Sequence, residues 1–446
     1  MLVCLTSVIW LQTAWSDTGV YEECIKEPVF EGKVCTLQLN RDADVGLILI
    51  HGLGGSIEDW ETTIAALGAD FHVLAFDLPG FGKSDKGSQT YSPTRYAKLA
   101  DHLAAHYFHG KPYHIVGHSM GGAIALRFAS LRPAHFQRLV LLDAAGILHP
   151  QVLSKFQAGS MLQEASGMKQ TRGFAERFSG KIMEQIDRLP ISPIDIANSK
   201  MGREYVLQGD PQMIAALELA GEDFSDAIVS VTEETLILWG DGDPTVPRRT
   251  GEVLAAHMPH ARLEIVFDSG HVPMQDQSKK TNELIRRHLS ASDQELSRLN
   301  PLSRRQPALA SKRVGTCSGE SGKVFQGDYL SIDVRDCTNV IIRDARMGRL
   351  KVVDSRISLI DTDISGKVGG VQAFGSNVTI TNGSISGVIA IEAEKSRFDL
   401  AGVSLKGSEH AVKAKGSKFV FSICHVRSPH MDGALHAYKK MNDAVL

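Results

Sequence analysis

The sequence predicts an α/β domain followed by a smaller all-β repeat domain, on three observations. A short apolar strand, Tyr113-His114-Ile115-Val116, runs through Gly117-His118-Ser119-Met120-Gly121 straight into an apolar helix over Gly122 to Phe128. Further apolar strands precede and follow it, and several end in loops that carry Gly, Asp or His. Beyond residue 314 short alternating strands return at spacings of 17 to 21 residues, the period of one coil of a solenoid. At 446 residues the chain is also long for one domain.

Taken in order, the first element is an apolar run, Leu2 to Leu11, too short to span a bilayer. It reads as the h-region of a signal peptide over residues 1–16, with Ala14-Trp15-Ser16 as the small-residue cleavage region and no Lys or Arg in front. An exported protein, periplasmic or secreted, is expected. The first domain is assigned to residues 17–289. Its strands are Val45–Ile50, running into His51-Gly52-Leu53-Gly54-Gly55; His72–Phe76, running into Asp77; the strand before Ser119; Leu139–Leu142, ending at Asp143; Leu236–Trp239, running into Gly240 to Pro247; and Leu263–Phe267, followed by Asp268-Ser269-Gly270-His271-Val272-Pro273. Apolar runs of this length, bounded by glycine and proline, suit strands buried on both faces.

The strand ends carry the chemistry. A serine hydroxyl is a poor nucleophile until a base takes its proton, the base needs an orienting carboxylate, and the developing oxyanion needs donors. Glycines around Ser119 permit a sharp strand-to-helix turn that lifts the hydroxyl into a cleft. Acid and base candidates follow in the chain order Ser, Asp, His. From about Val45 to Leu289 the chain resembles an α/β-hydrolase, matching H-G-x-G, D-x-P-G-x-G-x-S (Asp77 to Ser84), G-H-S-M-G-G, W-G-x-x-D and G-H-x-P in order. The resemblance implies Ser119 as nucleophile, His271 as base and then acid, Asp243 as orienting carboxylate, and the backbone N–H groups of Leu53 and Met120 as oxyanion donors. Asp241 and Asp143 stand as alternative acids, the latter because it ends a strand from which it could reach the histidine. Asp268 reads as a turn residue, and His118 as pointing away from Ser119 into the packing around the elbow. His51 and Asp77 read as loop-stabilising groups, and Pro79, Gly80 and Gly82 as a turn that shapes the site.

The same residues exclude neighbouring chemistries. Relatives that open haloalkanes or epoxides carry aspartate at the elbow, so Ser119 implies acyl chemistry. The histidines are scattered, no H-E-x-x-H occurs and the cysteines lack C-x-x-C pairing, so no metal is expected. No cofactor is expected either: Gly52 to Gly55 lacks the G-x-G-x-x-G spacing of a dinucleotide loop. A net charge of −3 gives no electrostatic case for nucleic acid.

The long stretch between the strands ending near Leu142 and starting near Thr235 is the place for a helical cap, about residues 147–232. Helices are expected over Gln151–Gln163, Gly173–Leu189 and Gln212–Leu219, with Pro190, Pro193 and Pro211 as breaks. Met161, Met168, Met183, Met201 and Met213 fall within it and suit either an apolar acyl pocket or packing between helices. Of six cysteines, Cys4 would leave with the signal peptide, Cys24 with Cys35 and Cys317 with Cys337 have spacings that allow disulfides, and Cys424 is left over. That usage fits an oxidising compartment.

Residues 290–313 are polar and basic, with Pro301 and Pro307, and read as a linker. Residues 314–446 resemble a right-handed parallel β-helix: strands beginning at Asn339, Arg356, Asn377, Arg397 and Lys418 alternate inward Val, Ile, Leu and Phe with outward polar residues. Asn377-Val378-Thr379 and Asn382-Gly383-Ser384 match the N-glycosylation pattern. The expected function is hydrolysis of a carboxylic ester, small to medium or lipid-like, through an acyl-enzyme. Alternatives are a carbohydrate esterase, or another acyl or C–C hydrolase, that uses the β-helix for glycan or cell-surface contact, and a binding protein on a retired hydrolase scaffold.

Overall fold

The computed structural model describes residues 19–131, 133–152, 193–299, 311–367 and 369–446. The signal-peptide segment, most of the first two cap helices with Met161, Met168 and Met183, and residues 300–310 of the expected linker lie outside the described residues.

Eight strands build the first sheet: β1 (Tyr21–Lys26), β2 (Lys33–Leu39), β3 (Gly46–Ile50), β4 (His72–Phe76), β5 (Tyr113–His118), β6 (Phe136–Leu142), β7 (Glu234–Gly240) and β8 (Ala261–Val266), in the order β1-β2-β4-β3-β5-β6-β7-β8. β1, β2 and β4 pair antiparallel, and from β4 to β8 the sheet is parallel. Parallel strands need helical crossovers, so both faces are covered and the central strands are apolar throughout rather than alternating. On one face Glu61–Leu67 and Ser278–Ser290 pack Ile64, Leu67, Leu284 and Ile285 against Leu47, Leu49, Val140 and Leu238. On the other, Pro93–Phe108 and Met120–Ser130 pack Leu99, Leu103, Ile124 and Phe128 against Ile48, Ile115 and Leu139. The C-terminal ends of β3 to β8 share one edge, which is where open parallel sheets place ligands.

Part of the expected cap is visible as helices Pro193–Asn198, Pro211–Gly221 and Ser225–Ser230. Pro211 does not break the third expected helix but begins it. Asp210 accepts from the N–H groups of Gln212 and Met213, and proline lacks only a donor that the first turn leaves unpaired anyway. The stretch expected as linker opens with a helix, Asp293–Leu299.

In the C-terminal domain the sequence spacing is the strand register. Arg356, Asn377, Arg397 and Lys418 are successive partners in a parallel ladder, and Val340 pairs with Ile357. Val340, Ile357, Val378, Phe398 and Phe419 therefore stack inward, as do Ile342, Leu359, Ile380, Leu400 and Phe421, all buried. The Phe398 and Phe419 rings lie parallel with centroids 4.9 Å apart. Successive coils turn a corner at Asp336, Asp354, Gly375, Lys395 and Gly416, with φ of 52°, 47°, 58°, 50° and 58°. The residue after the first of these corners is Cys337, and after each of the other four it is a buried serine; the hydroxyls of Ser355, Ser376, Ser396 and Ser417 each accept from a main-chain N–H of the preceding coil. The last coil is closed by an antiparallel strand, Met431–Met441, that covers the edge left by Ser417–Ser428.

Cys24 and Cys35 face each other across β1 and β2 and form a disulfide, Cys317 and Cys337 form a second, and Cys424 is free and buried. Two disulfides fit an oxidising, extracellular setting. Among the described residues no helix is long and apolar enough to cross a membrane. Of the two glycosylation-pattern asparagines, Asn377 is exposed, whereas Asn382 is 3% exposed and donates to the Glu252 carbonyl of the first domain, so the second match has no room for a sugar.

Candidate active site

Ser119 stands at the junction of β5 and the helix Met120–Ser130 with φ 53° and ψ −118°, a conformation costly for a residue with a side chain. The neighbours hold it there. The Ser119 N–H bonds to the Leu142 carbonyl, and the Ser119 carbonyl accepts from Gly122, Ala123 and Ala145. An added Cβ at Gly117 would strike the Gly121 carbonyl, one at Gly121 would strike the Ile50 carbonyl, and one at Gly122 would lie 2.8 Å from the Ala144 Cβ. The glycines are there for close approach of strand, helix and neighbouring loop.

His271, on the loop after β8, receives the serine hydroxyl: Ser119 Oγ lies 2.9 Å from His271 Nε2. On the far side of the ring, Nδ1 lies 2.8 Å from Asp243 Oδ2. Asp243 belongs to the turn after β7, where its other oxygen accepts from the N–H groups of Thr245 and Val246. Burial works against ionisation of this carboxyl, but the adjacent His271 and the two N–H donors outweigh it and hold its pKa below the usual carboxylate value. With Asp243 as acceptor, Nδ1 carries the ring proton and Nε2 is free to accept from Ser119, the polarity a general base needs.

The loop after β3 lies beside the nucleophile, since a Cβ at Gly52 would sit 3.2 Å from the Ser119 Cβ. Met120, fully buried, is the first residue of its helix, and a first-turn N–H has no acceptor within the helix. The loop that carries Leu53 and the helix that begins at Met120 thus adjoin Ser119 from two elements. His51 fixes the first of them: its Nδ1 donates to the Gly52 carbonyl at 2.7 Å and its Nε2 accepts from the Leu78 N–H at 3.0 Å. Asp77 ties the adjoining turn by accepting from the N–H groups of Ile57 and Lys83.

The alternative acids fall in distinct settings. Asp241 is exposed and caps the Ser269 N–H. Asp143 is fully buried, accepts from the Gly240 N–H at 3.0 Å, and lies with Asp243 and His271 in one group whose ligating atoms are within 4.8 Å of each other. Burial, reinforced by the Asp243 charge, pushes the Asp143 carboxyl well above its usual pKa. Asp268 is an exposed turn residue with φ 57°. His118 has a role that the sequence did not indicate. Its Nε2 donates to the His271 carbonyl at 2.6 Å, and burial, then the neighbouring His271, holds its pKa down at about 3, so it is a neutral clamp on the loop of the base.

Residues 47–284 match the sequence profile of the alpha/beta hydrolase family, just over half of the chain. An uncharacterised protein of Mycobacterium tuberculosis is 29% identical over 269 residues, which cover 55% of this chain and 76% of that protein. Lipase 3 of Moraxella sp. is 27% identical over 237 residues, covering 53% of this chain and 74% of the lipase. Among solved structures, a bacterial membrane phospholipase A aligns with a TM-score of 0.46 and 25% identity, over 61% of this chain and 86% of that one. By the extent of the profile match over the segment that builds the parallel sheet and the elbow, the chain belongs to the alpha/beta hydrolase family.

Proposed function

We propose that the protein is a serine hydrolase of carboxylic esters that works through an acyl-enzyme, with Ser119 as nucleophile, His271 as base and acid, Asp243 as its orienting carboxylate, and the N–H groups of Leu53 and Met120 as oxyanion donors. The observation that carries the reading is the continuous chain of short contacts, Ser119 Oγ to His271 Nε2 at 2.9 Å and His271 Nδ1 to Asp243 Oδ2 at 2.8 Å. The lipases among the relatives support an ester as the substrate class.

Ser119 Oγ attacks the ester carbonyl carbon while its proton passes to His271 Nε2. The carbonyl oxygen becomes an oxyanion facing the two backbone donors, and Asp243 stabilises the imidazolium. Collapse of the tetrahedral intermediate breaks the C–O bond, and His271 returns the proton to the departing alcohol. A water molecule, deprotonated by the same nitrogen, then attacks the acyl carbon, and the acid leaves as Ser119 regains its proton. His271 is the more accessible of the pair, with a side-chain exposure of 17% against 1% for Asp243, as a group that meets substrate and water should be. The root of the cap is apolar, with Ile147, Leu148 and Leu219 in the main core cluster and Met213 packed against it, and an apolar acyl substrate accords with that composition. Export to an oxidising compartment fits the two disulfides.

The test compares wild type with Ser119→Ala on p-nitrophenyl esters of graded chain length. Wild type is expected to hydrolyse them and Ser119→Ala to retain less than about one part in 10³ of kcat. Equal rates in the two proteins overturn the assignment.

A further inference from the structure

The helix Arg249–His257, which follows the acid turn, does not end in solvent but lies on the outer face of the last coils of the C-terminal domain. The Arg249 guanidinium donates to Asp399 Oδ2 at 3.0 Å and to the Ile380 carbonyl at 3.1 Å, and the two charged side chains are only 14% and 16% exposed. One turn on, the Glu252 carbonyl accepts from Asn382 Nδ2 at 3.2 Å, and at the end of the helix His257 Nε2 donates to the Gly402 carbonyl at 3.0 Å. Gly402 has φ +64°, and a Cβ there would lie 2.7 Å from His257 Nε2, so glycine is needed for both the turn and the approach. Between these polar bonds Ala401, Val420 and Ile423 join Val253, Leu254 and Met258 in one apolar cluster.

The docked face follows from the register. Thr379, Asp399 and Val420 are successive outward partners, and Ala401 and Ser422 form the next pair along the same strands. In the first coils the same column holds Val324 and Ile341, which are exposed, so only the later coils meet the helix. At its other end the helix is tied to the acid. Asp243 Oδ1 accepts from Thr245 and Val246, the Val246 carbonyl accepts from Trp239 Nε1, and the Pro247 carbonyl accepts from Thr250. The turn from Asp243 to Arg249 contains Pro244 and Pro247, so it has few free torsions with which to absorb a shift of the helix.

We propose that the C-terminal domain is a brace for the catalytic acid: Asp399 and the carbonyls of Ile380 and Gly402 hold the helix Arg249–His257 so that Asp243 keeps its place on His271 Nδ1. The proposal rests on the reading of Asp243 as the triad acid. Arg249 and Asp399 are positioning residues, acting through the turn and touching no reacting atom. A stack of parallel coils gives a rigid support. A largely buried ion pair is a poor source of net stability but a good source of fixed geometry. Displacing a catalytic group by about 1 Å costs about 10²-fold in rate, which leaves a clear window for the effect.

The test uses the full chain as Arg249→Met, Arg249→Lys and Asp399→Asn, with kcat and KM for p-nitrophenyl butyrate measured well below the melting temperature. Arg249→Met and Asp399→Asn are expected to lose about tenfold or more in kcat with KM within about threefold, and Arg249→Lys to recover most of the loss. Amide exchange in residues 243–258 is expected to quicken in the same two variants. Unchanged kcat with a lowered melting temperature makes the pair a stabilising contact only and overturns the proposal. Should Arg249→Met not fold, the near-isosteric Asp399→Asn decides by the same measurement. Ser119→Ala and Asp243→Asn run alongside. If they stay active, the serine-hydrolase reading falls and the brace with it. If they lose activity while the Arg249 and Asp399 variants keep theirs, the brace alone falls.

Discussion

Replacing Asp243 by asparagine separates the three carboxylates that the sequence left in competition. In the proposed mechanism His271 becomes an imidazolium in each tetrahedral step, with the Asp243 carboxylate hydrogen-bonded to it at 2.8 Å. Taking about 4 Å between charge centres and an effective dielectric of about 20, that charge stabilises the ion by about 4 kcal/mol, or about three decades of rate. Asparagine removes the charge and also turns an N–H₂ toward Nδ1, which favours the wrong tautomer. Asp243→Asn is therefore expected to lower kcat about 10³-fold with KM little changed. Burial and the Asp243 charge push the Asp143 carboxyl well above its usual pKa, no bond joins it to His271, and Asp143→Asn keeps an oxygen for the Gly240 N–H. Its expected loss is less than about tenfold. Steady-state kinetics of the two variants, and of exposed Asp241→Asn as control, provide the assay. If Asp143→Asn falls as far as Asp243→Asn, the choice of Asp243 over Asp143 as the orienting acid is wrong.

Three further outcomes follow from the packing. Burial holds His114 and His288 at a pKa of about 3 and His72 at about 4, while in the unfolded chain each titrates at about 6.5. The folded state binds fewer protons, so their contribution is complete above pH 6.5 and lost as pH falls towards 3 to 4. Each costs about 2 kcal/mol at pH 5, and urea melts at pH 7, 6 and 5 should show the decline; a flat profile contradicts it. Ser376→Ala strips the acceptor from the buried Ser355 N–H and should cost about 1–3 kcal/mol in the same melts, without affecting kcat. Gly121→Ala drives a methyl into the Ile50 carbonyl beneath the elbow and should cost about 2–3 kcal/mol and most of the activity; a stable, active variant would mean the elbow is looser than described.

The strands, the elbow and the candidate residues were legible because each rests on local sequence: apolar runs bounded by glycine, and polar residues at strand ends. The solenoid was legible through its period, which proved to be its register. The serine column at 355, 376, 396 and 417 has the same period but no signature of its own, because a small polar residue at a turn is also what an ordinary surface loop carries. The link from His118 to the His271 carbonyl was not legible, since it joins positions 153 residues apart through a backbone atom that has no sequence signature. The docking of Arg249 on Asp399 was hidden for the same reason: an aspartate alternating with Phe398 and Leu400 looks like any solvated strand face, and only the tertiary arrangement removes the solvent.

The most direct test of the central claim is the identity of the atom that carries the acyl group. Intact-mass analysis after exposure to a fluorophosphonate should show one adduct per chain, peptide mapping should place it on Ser119, and both Ser119→Ala and His271→Ala should fail to form it at a comparable rate. Ester hydrolysis that persists with no adduct, or with an adduct on another residue, would contradict the account.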